Sequence, residues 1–245
     1  MTVPFGDDGS GDAVLLLHGS TGTRLHWLQV TPELATRWRV LAPDFQDVDR
    51  SLEIDDLVEQ AVGVLDAADV ERAHVAGWSL GAAASAALAA ARPERVRSLT
   101  LVSGWVRSDA SMAFMFDWWR RLLEVDNELF MRVVLSDIFT PEWFDVVGDA
   151  VDGIARISAA GIAPGSVWHA ELDMRVDIAD RLPAIEAPTL VVHGSRDRVL
   201  PIEHGHALAA AVKGAHLMEL DLGHGLTTEG AAELVPLLAG WFERH

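Results

Sequence analysis

Short apolar runs alternate along the chain with stretches in which apolar side chains recur every three or four residues. Residues 13–18 (AVLLLH), 39–42 (RVLA), 73–78 (AHVAGW), 98–103 (SLTLVS), 189–193 (TLVVH) and 216–220 (HLMEL) are the apolar runs. Their near-continuous character predicts strands of a parallel sheet covered on both faces. Ile54, Leu57, Val58, Ala61, Val62 and Leu65 keep the spacing of one helix face. Residues 80–92 are alanine-rich and stop at Pro93, as a helix should. Leu234, Leu237, Leu238, Trp241 and Phe242 mark a last helix. Pro236 predicts that it begins near Glu233, because proline suits only a first turn. Strands alternating with helices predict an α/β class, with a doubly wound, mostly parallel sheet.

From Trp105 to about Glu186 no strand pattern occurs and helical signals dominate. Thr140-Pro141-Glu142 reads as a helix start, with Thr140 as N-cap and Pro141 at the first helical position, and Asp126 is a second N-cap. A stretch this long is not a loop. It predicts a helical cap, 105–186, inserted between strands of a core formed by 1–104 and 187–245. Met112, Met115, Phe116, Trp119, Leu122 and Leu123 share one helix face, while Phe114 and Trp118 hold another. A helix apolar nearly all round is buried on two sides. One side would pack on the core and the other would roof an apolar pocket; plain packing or a homodimer contact is the alternative. Trp105, Met115, Trp119, Trp143 and Trp168 are the pocket candidates. Arg120, Arg121, Arg132, Arg156 and Arg175 read as solvated helix faces, with a grip on a substrate carboxylate as the alternative.

Length and composition narrow the field. A chain of 245 residues with 50% apolar and 23% charged residues is one globular domain carrying an insertion. The net charge of −18 repels phosphate backbones and anionic lipid, so neither nucleic acid nor a membrane is the expected partner. The longest small-apolar run, 82–91, is too short to span a bilayer. The first residues lack the basic start and apolar stretch of a secretory signal, which predicts a cytoplasmic protein. Cysteine and tyrosine are absent. That removes thiolate nucleophiles, cysteine-held metals and a tyrosine acid or base.

Gly77-Trp78-Ser79-Leu80-Gly81 follows a predicted strand and opens a predicted helix. In that context a serine sits on a tight turn, with its hydroxyl raised above the carboxyl end of the sheet. A serine hydroxyl needs a base. Of the ten histidines, His224 alone follows the last strand in a loop flanked by glycines, Gly223 and Gly225. His18, His74 and His193 fall at strand ends and read as structural. His26, His204, His206, His216 and His245 read as solvated, and His169 lies in the cap, with contact to substrate as an alternative to a structural place. The base needs a carboxylate to hold its tautomer. Asp197, just past the strand that ends at His193, is the candidate, with Asp109 as the fallback. A developing oxyanion needs two amide donors. Leu80 offers one, and Ser20, in the His18-Gly19-Ser20-Thr21-Gly22 turn, offers the other.

These four segments, in this order, resemble the α/β-hydrolase superfamily. The elbow is similar to that of the methyl esterase of biotin synthesis. The Trp105 segment and the 129–143 pattern are similar to aminoacrylate hydrolases. Residues 189–201 are similar to the cofactor-free perhydrolase and enol-lactonase groups. The resemblance implies an α/β-hydrolase fold and a serine hydrolase that needs no metal or cofactor. Its substrate would be a small or medium ester, thioester, lactone or activated amide, cleaved through an acyl-enzyme. The same site could instead serve C–C cleavage, elimination or perhydrolysis. A hydrolase-derived ligand-binding protein is a third use. Two departures stand out. Relatives open with a strand hairpin, whereas only twelve residues precede the first strong strand here, so the sheet should lack one early strand. The glycine-rich loop that follows the second strong strand in relatives reads DFQDVDRS at 44–51, without glycine.

Overall fold

The computed structural model describes residues 3–46, 50–163 and 165–245. Residues 47–49 of the acidic loop at 44–51 lie outside them. Seven strands form one sheet: β1 (Phe5–Gly9), β2 (Ala13–Leu17), β3 (Arg39–Pro43), β4 (Ala73–Trp78), β5 (Val96–Val102), β6 (Thr189–Gly194) and β7 (His216–Leu220). Their order is β1-β3-β2-β4-β5-β6-β7. Among the described strands only β1 runs antiparallel, against β3. The N-terminal stretch thus supplies one strand where relatives were expected to carry a hairpin.

Ten helices accompany the strands among the described residues: α1 (Thr31–Leu34), α2 (Ile54–Ala67), α3 (Leu80–Ala91), α4 (Ala110–Val125), α5 (Asn127–Ile138), α6 (Pro141–Val147), α7 (Val151–Ala160), α8 (Ser166–Asp173), α9 (Ile202–Ala211) and α10 (Ala231–Phe242). Alternation along the strands sorts the core into two layers. Leu15, Leu17, Val75, Leu99, Leu101 and Val191 face one side with α2, α3 and α9 residues. Val14, Leu16, Ala76, Val102, Leu190 and Val192 face the other, against Trp27, Leu34, Leu234 and Leu238. A fully buried leucine contributes ~1.5–3 kcal/mol to such a core. Helix α3 is buried on nearly every face, which accounts for its alanines: larger side chains would hold it off the sheet.

Two expectations need correction. β7 is not covered on both faces; it is an edge strand with exposed and half-exposed residues. Helix α10 starts at Ala231, so Pro236 lies inside it rather than in its first turn. Leu234, Leu238 and Trp241 are buried there, and their packing outweighs the one backbone bond that proline removes.

Between β5 and β6 run the five helices α4–α8. Among the described residues of this stretch the only sheet-like pairing is an isolated bridge between Arg107 and Asp177. Asp126 caps α5 by accepting from the Glu128 and Leu129 amides. Thr140 stands at the N-cap of α6, but its hydroxyl donates to Glu229 Oε1 (2.6 Å) instead of capping. No described helix is long and apolar enough to cross a membrane.

Candidate active site

The turn between β4 and α3 is set by glycine at two points. A Cβ on Gly77 would lie 2.0 Å from Gly81 O, and one on Gly81 would lie 2.2 Å from Leu17 O. Only glycine lets strand and helix approach this closely. Ser79 sits between them at φ 57° and ψ −122°, a region rare for a residue with a side chain. Such a backbone costs ~1–3 kcal/mol and persists only where surroundings enforce it. The Ser79 amide, donating to Val102 O at 2.9 Å, is one of those restraints.

His224 and Asp197 arrive from the loops after β7 and β6. His224 Nε2 lies 3.1 Å from Ser79 Oγ, and His224 Nδ1 lies 2.7 Å from Asp197 Oδ2. The other carboxylate oxygen, Oδ1, accepts from the Val199 amide at 2.9 Å and the Leu200 amide at 2.8 Å. The His224 carbonyl accepts from Trp78 Nε1 (2.9 Å) and Ser103 Oγ (3.2 Å). The imidazole is therefore fixed at its ring and at its backbone. Exposures of 8% for Ser79, 6% for Asp197 and 2% for His224 leave the serine reachable only through a cavity. Asp109 takes no part; it caps α4 by accepting from the Met112 amide at 2.9 Å.

The His18–Gly22 turn packs on the elbow. A Cβ on Gly19 would lie 3.1 Å from Ser79 Cβ, so the next amide, Ser20, is delivered beside the serine. Among the described residues neither the Ser20 nor the Leu80 amide donates to another protein group. The turn is held from below by His18, whose Nε2 accepts from the Phe45 amide (3.0 Å) while Nδ1–H donates to Gly19 O (2.7 Å). Burial lowers the His18 pKa to about 4, which keeps the ring neutral. Thr21 stands at φ 59°.

A cavity of about 260 Å³ opens over Ser79 and His224. Its floor is Ser20, Thr21, Gly22, His26 and Trp78; its roof is Trp119, Met131, Val134, Ile138, Ile157 and Ile162, from α4, α5, α7 and the loop before α8. No charged side chain is among its described lining residues. Of the five pocket candidates, Trp119 lines the cavity and the other four do not. Trp105 is fully buried and spends its indole N–H on Ser108 Oγ (2.9 Å). Met115 lines a separate recess near Asp109 and His204. Trp143 stacks on Phe139 with ring centroids 3.9 Å apart, and Trp168 is 36% exposed. Helical periodicity marks apolar faces but not which of them meets the cavity. The cap arginines Arg120, Arg121, Arg132 and Arg175 pair with acidic residues.

His26 also departs from its expected, solvated position. It is half-buried in the cavity floor, against Trp78 at a ring distance of 4.8 Å, and not in solvent. Burial, then neighbouring His18, His169 and His224, lowers its pKa to about 3. No local pattern in the sequence distinguishes it; the short turn Arg24–Trp27 brings it in. His169 is buried behind the floor, where its Nδ1 accepts from the Thr21 amide (3.1 Å). Among the described residues, no group of three or more His, Asp or Glu side chains is arranged to hold a metal ion.

Comparison with known proteins matches this architecture. The alpha/beta hydrolase fold family matches residues 12–142. The chain is 30% identical to the pyrrolizixenacetamide deacetylase of Xenorhabdus hominickii, over 94% of this chain and 91% of that one. It is 31% identical to the putative carbamate hydrolase RutD of Azorhizobium caulinodans, over 88% and 84%. The enol-lactonase of Burkholderia xenovorans LB400 superposes with a TM-score of 0.90 at 20% identity, covering 98% of this chain and 96% of that one, a likeness of fold. The chain therefore belongs to the α/β-hydrolase family of enzymes.

Proposed function

We propose that this protein is a serine hydrolase acting on a small, uncharged carboxylic ester, thioester, lactone or activated amide. The observation that carries the reading is the contact series Ser79 Oγ–His224 Nε2–Asp197, at 3.1 and 2.7 Å, at the foot of a partly open, mostly apolar cavity. Ser79 attacks the carbonyl carbon while His224 takes the hydroxyl proton, and His224 then gives that proton to the leaving group. Water, deprotonated by His224, releases the acyl group and restores Ser79. Base catalysis of this kind contributes ~10²–10⁴ in rate. The Leu80 and Ser20 amides receive the oxyanion, each worth ~3 kcal/mol at the transition state. Residues 105–186 act as the cap that excludes water and shapes the acyl site.

The cavity supports a small, uncharged substrate. Its volume of about 260 Å³ lies below the usual range for drug-sized ligands, which favours a short acyl group. An uncharged lining offers an anionic substrate no counter-ion, and the net charge of −18 opposes its approach. A deacetylase among the relatives agrees with a small acyl group.

The test is intact mass after treatment with a fluorophosphonate, with Ser79→Ala and His224→Ala as controls, followed by turnover of a panel of short-chain esters, thioesters and lactones. One adduct on the wild type, absent from both variants, together with turnover abolished in Ser79→Ala, is the expected result. A folded wild type that takes neither this probe nor a smaller sulfonyl fluoride would end the reading.

A further inference from the structure

One partly buried contact between the cap and the His18–Gly22 turn has no part in the proton transfers above. Helix α8 carries His169 and Asp173 one turn apart, both buried. The Thr21 amide donates to His169 Nδ1 at 3.1 Å across 148 positions of sequence. A backbone N–H can only donate, so Nδ1 must accept and the ring proton resides on Nε2. Burial, with His18 nearby, lowers the His169 pKa to about 3, so the acceptor persists at any pH suited to a His224 base. Thr21 itself stands at φ 59°, where a β-branched residue is rare and must be held by its neighbours. On the same helix Asp173 is fully buried, and neither its carboxylate oxygens nor the Ser20 hydroxyl finds a hydrogen-bond partner among the described residues.

We infer that His169 is a positioning residue: through Thr21 it holds the Ser20 amide where the oxyanion forms, so the cap completes the oxyanion hole. The inference rests on the serine-hydrolase reading above. The peptide plane between Ser20 and Thr21 is rigid. With that plane pinned by His169, only the φ and ψ of Ser20 separate the pinned group from the Ser20 N–H. Releasing it lets the donor drift, and an oxyanion donor acts only within ~2.7–3.1 Å of its target. A misplacement of about 1 Å costs ~10²-fold in rate. The loss falls on the transition state, so it appears in kcat and not in KM.

The experiment compares His169→Leu, His169→Asn and His169→Gln with the wild type. Steady-state ester hydrolysis is measured beside inhibition by a trifluoromethyl ketone, whose adduct on Ser79 places an oxyanion in the same position. Asparagine can set Oδ1 where Nδ1 stood; glutamine places its oxygen one bond too far. His169→Leu should lower kcat by ~10–100-fold with KM little changed. Its inhibitor affinity should fall in step with kcat/KM. His169→Asn should recover most of both, and His169→Gln should not. If His169→Leu does not fold, the Asn–Gln contrast decides alone. Unchanged kcat and inhibitor affinity, a rise in KM alone, or equal behaviour of Asn and Gln would overturn the inference. Failure of the underlying reading looks different: the wild type itself would take no fluorophosphonate on Ser79.

Discussion

Replacing Asp197 by asparagine asks whether His224 works through a tautomer that the protein imposes. Asp197 Oδ1 accepts from two backbone amides, Val199 (2.9 Å) and Leu200 (2.8 Å). Those donors dictate the orientation of an asparagine: its carbonyl must face them, and its NH₂ must take the Oδ2 position, 2.7 Å from His224 Nδ1. A donor then faces Nδ1, which must accept, and the ring proton moves to Nε2. Nε2 now points a hydrogen at Ser79 Oγ across 3.1 Å and cannot receive one. The imidazolium also loses its counter-charge. Misplacing the tautomer in a triad of this design costs about 10⁴ in kcat, equivalent to ~5 kcal/mol of transition-state stabilisation. Fold stability should change far less, because asparagine keeps both loop bonds and the same volume. The assay is steady-state hydrolysis of a short p-nitrophenyl ester, with urea melts of the same preparations. Asp109→Asn is the control and should leave kcat unchanged, since Asp109 only caps α4. A loss below about tenfold in Asp197→Asn would refute the tautomer argument. A large loss in Asp109→Asn beside it would move the acid to that residue.

Three further outcomes follow from the geometry. A Cβ at Gly225 would lie 2.4 Å from Phe139 Cε1, and Phe139 is stacked on Trp143, so the His224 loop must yield. Gly225→Ala should therefore lose ~1–3 kcal/mol in thermal or urea melts and ~10–100-fold in kcat; wild-type values in both would contradict the contact. Burial raises the Asp173 pKa from 3.8 to about 8. Between those values the native state holds a proton that the unfolded chain has released, so stability falls as pH rises through that window and levels off above it. Asp173→Asn has no such titration. Its stability relative to wild type should climb from pH 4 to pH 8 in urea melts, and parallel pH profiles would show that Asp173 ionises normally. Finally, an uncharged p-nitrophenyl ester should be hydrolysed with far higher kcat/KM than an analogue ending in a carboxylate; equal values would mean the cavity tolerates an anion.

The sheet and the placement of Ser79, Asp197 and His224 were legible because each follows an apolar run. In a parallel sheet the end of such a run is the face where loops gather. β1 was not legible: FGDDG is a mostly exposed edge strand, with too few apolar positions to register as one. Nor was the edge position of β7, since HLMEL has the same apolar content as a covered strand. Met115 falls outside the cavity for a related reason. Periodicity locates a face; the angle at which α4 settles decides what that face meets. Trp105 was drawn inward toward Phe116 and Ser108, and the cavity roof fell to aliphatic residues such as Val134 and Ile157. His26 escaped notice because what matters is its seat against Trp78, a contact across more than fifty positions.

The four candidate groups are not held alike. Ser79 is fixed by the core alone, through Gly77, Gly81 and the bond to Val102 O. The other three loops each touch the inserted helices. Thr21, beside Ser20, is held by His169. Arg198, beside Asp197, donates to Phe139 O at 3.0 Å. Gly225, beside His224, donates to Ile138 O at 3.0 Å, and Glu229 farther along that loop accepts from both the amide and the hydroxyl of Thr140. Ser79 is thus held independently of the insertion, whereas the loops that carry His224, Asp197 and Ser20 are braced by it. Substitutions in 105–186 can therefore change the cavity and the placement of these three loops together, while the strained Ser79 stays where the sheet puts it. On the proposed serine-hydrolase mechanism the insertion would set both what is bound and how fast it reacts. A change of substrate made in the roof alone, for example at Val134 or Ile157, is separable from catalysis only because those side chains face the cavity and leave the Ile138–Phe139 backbone contacts intact.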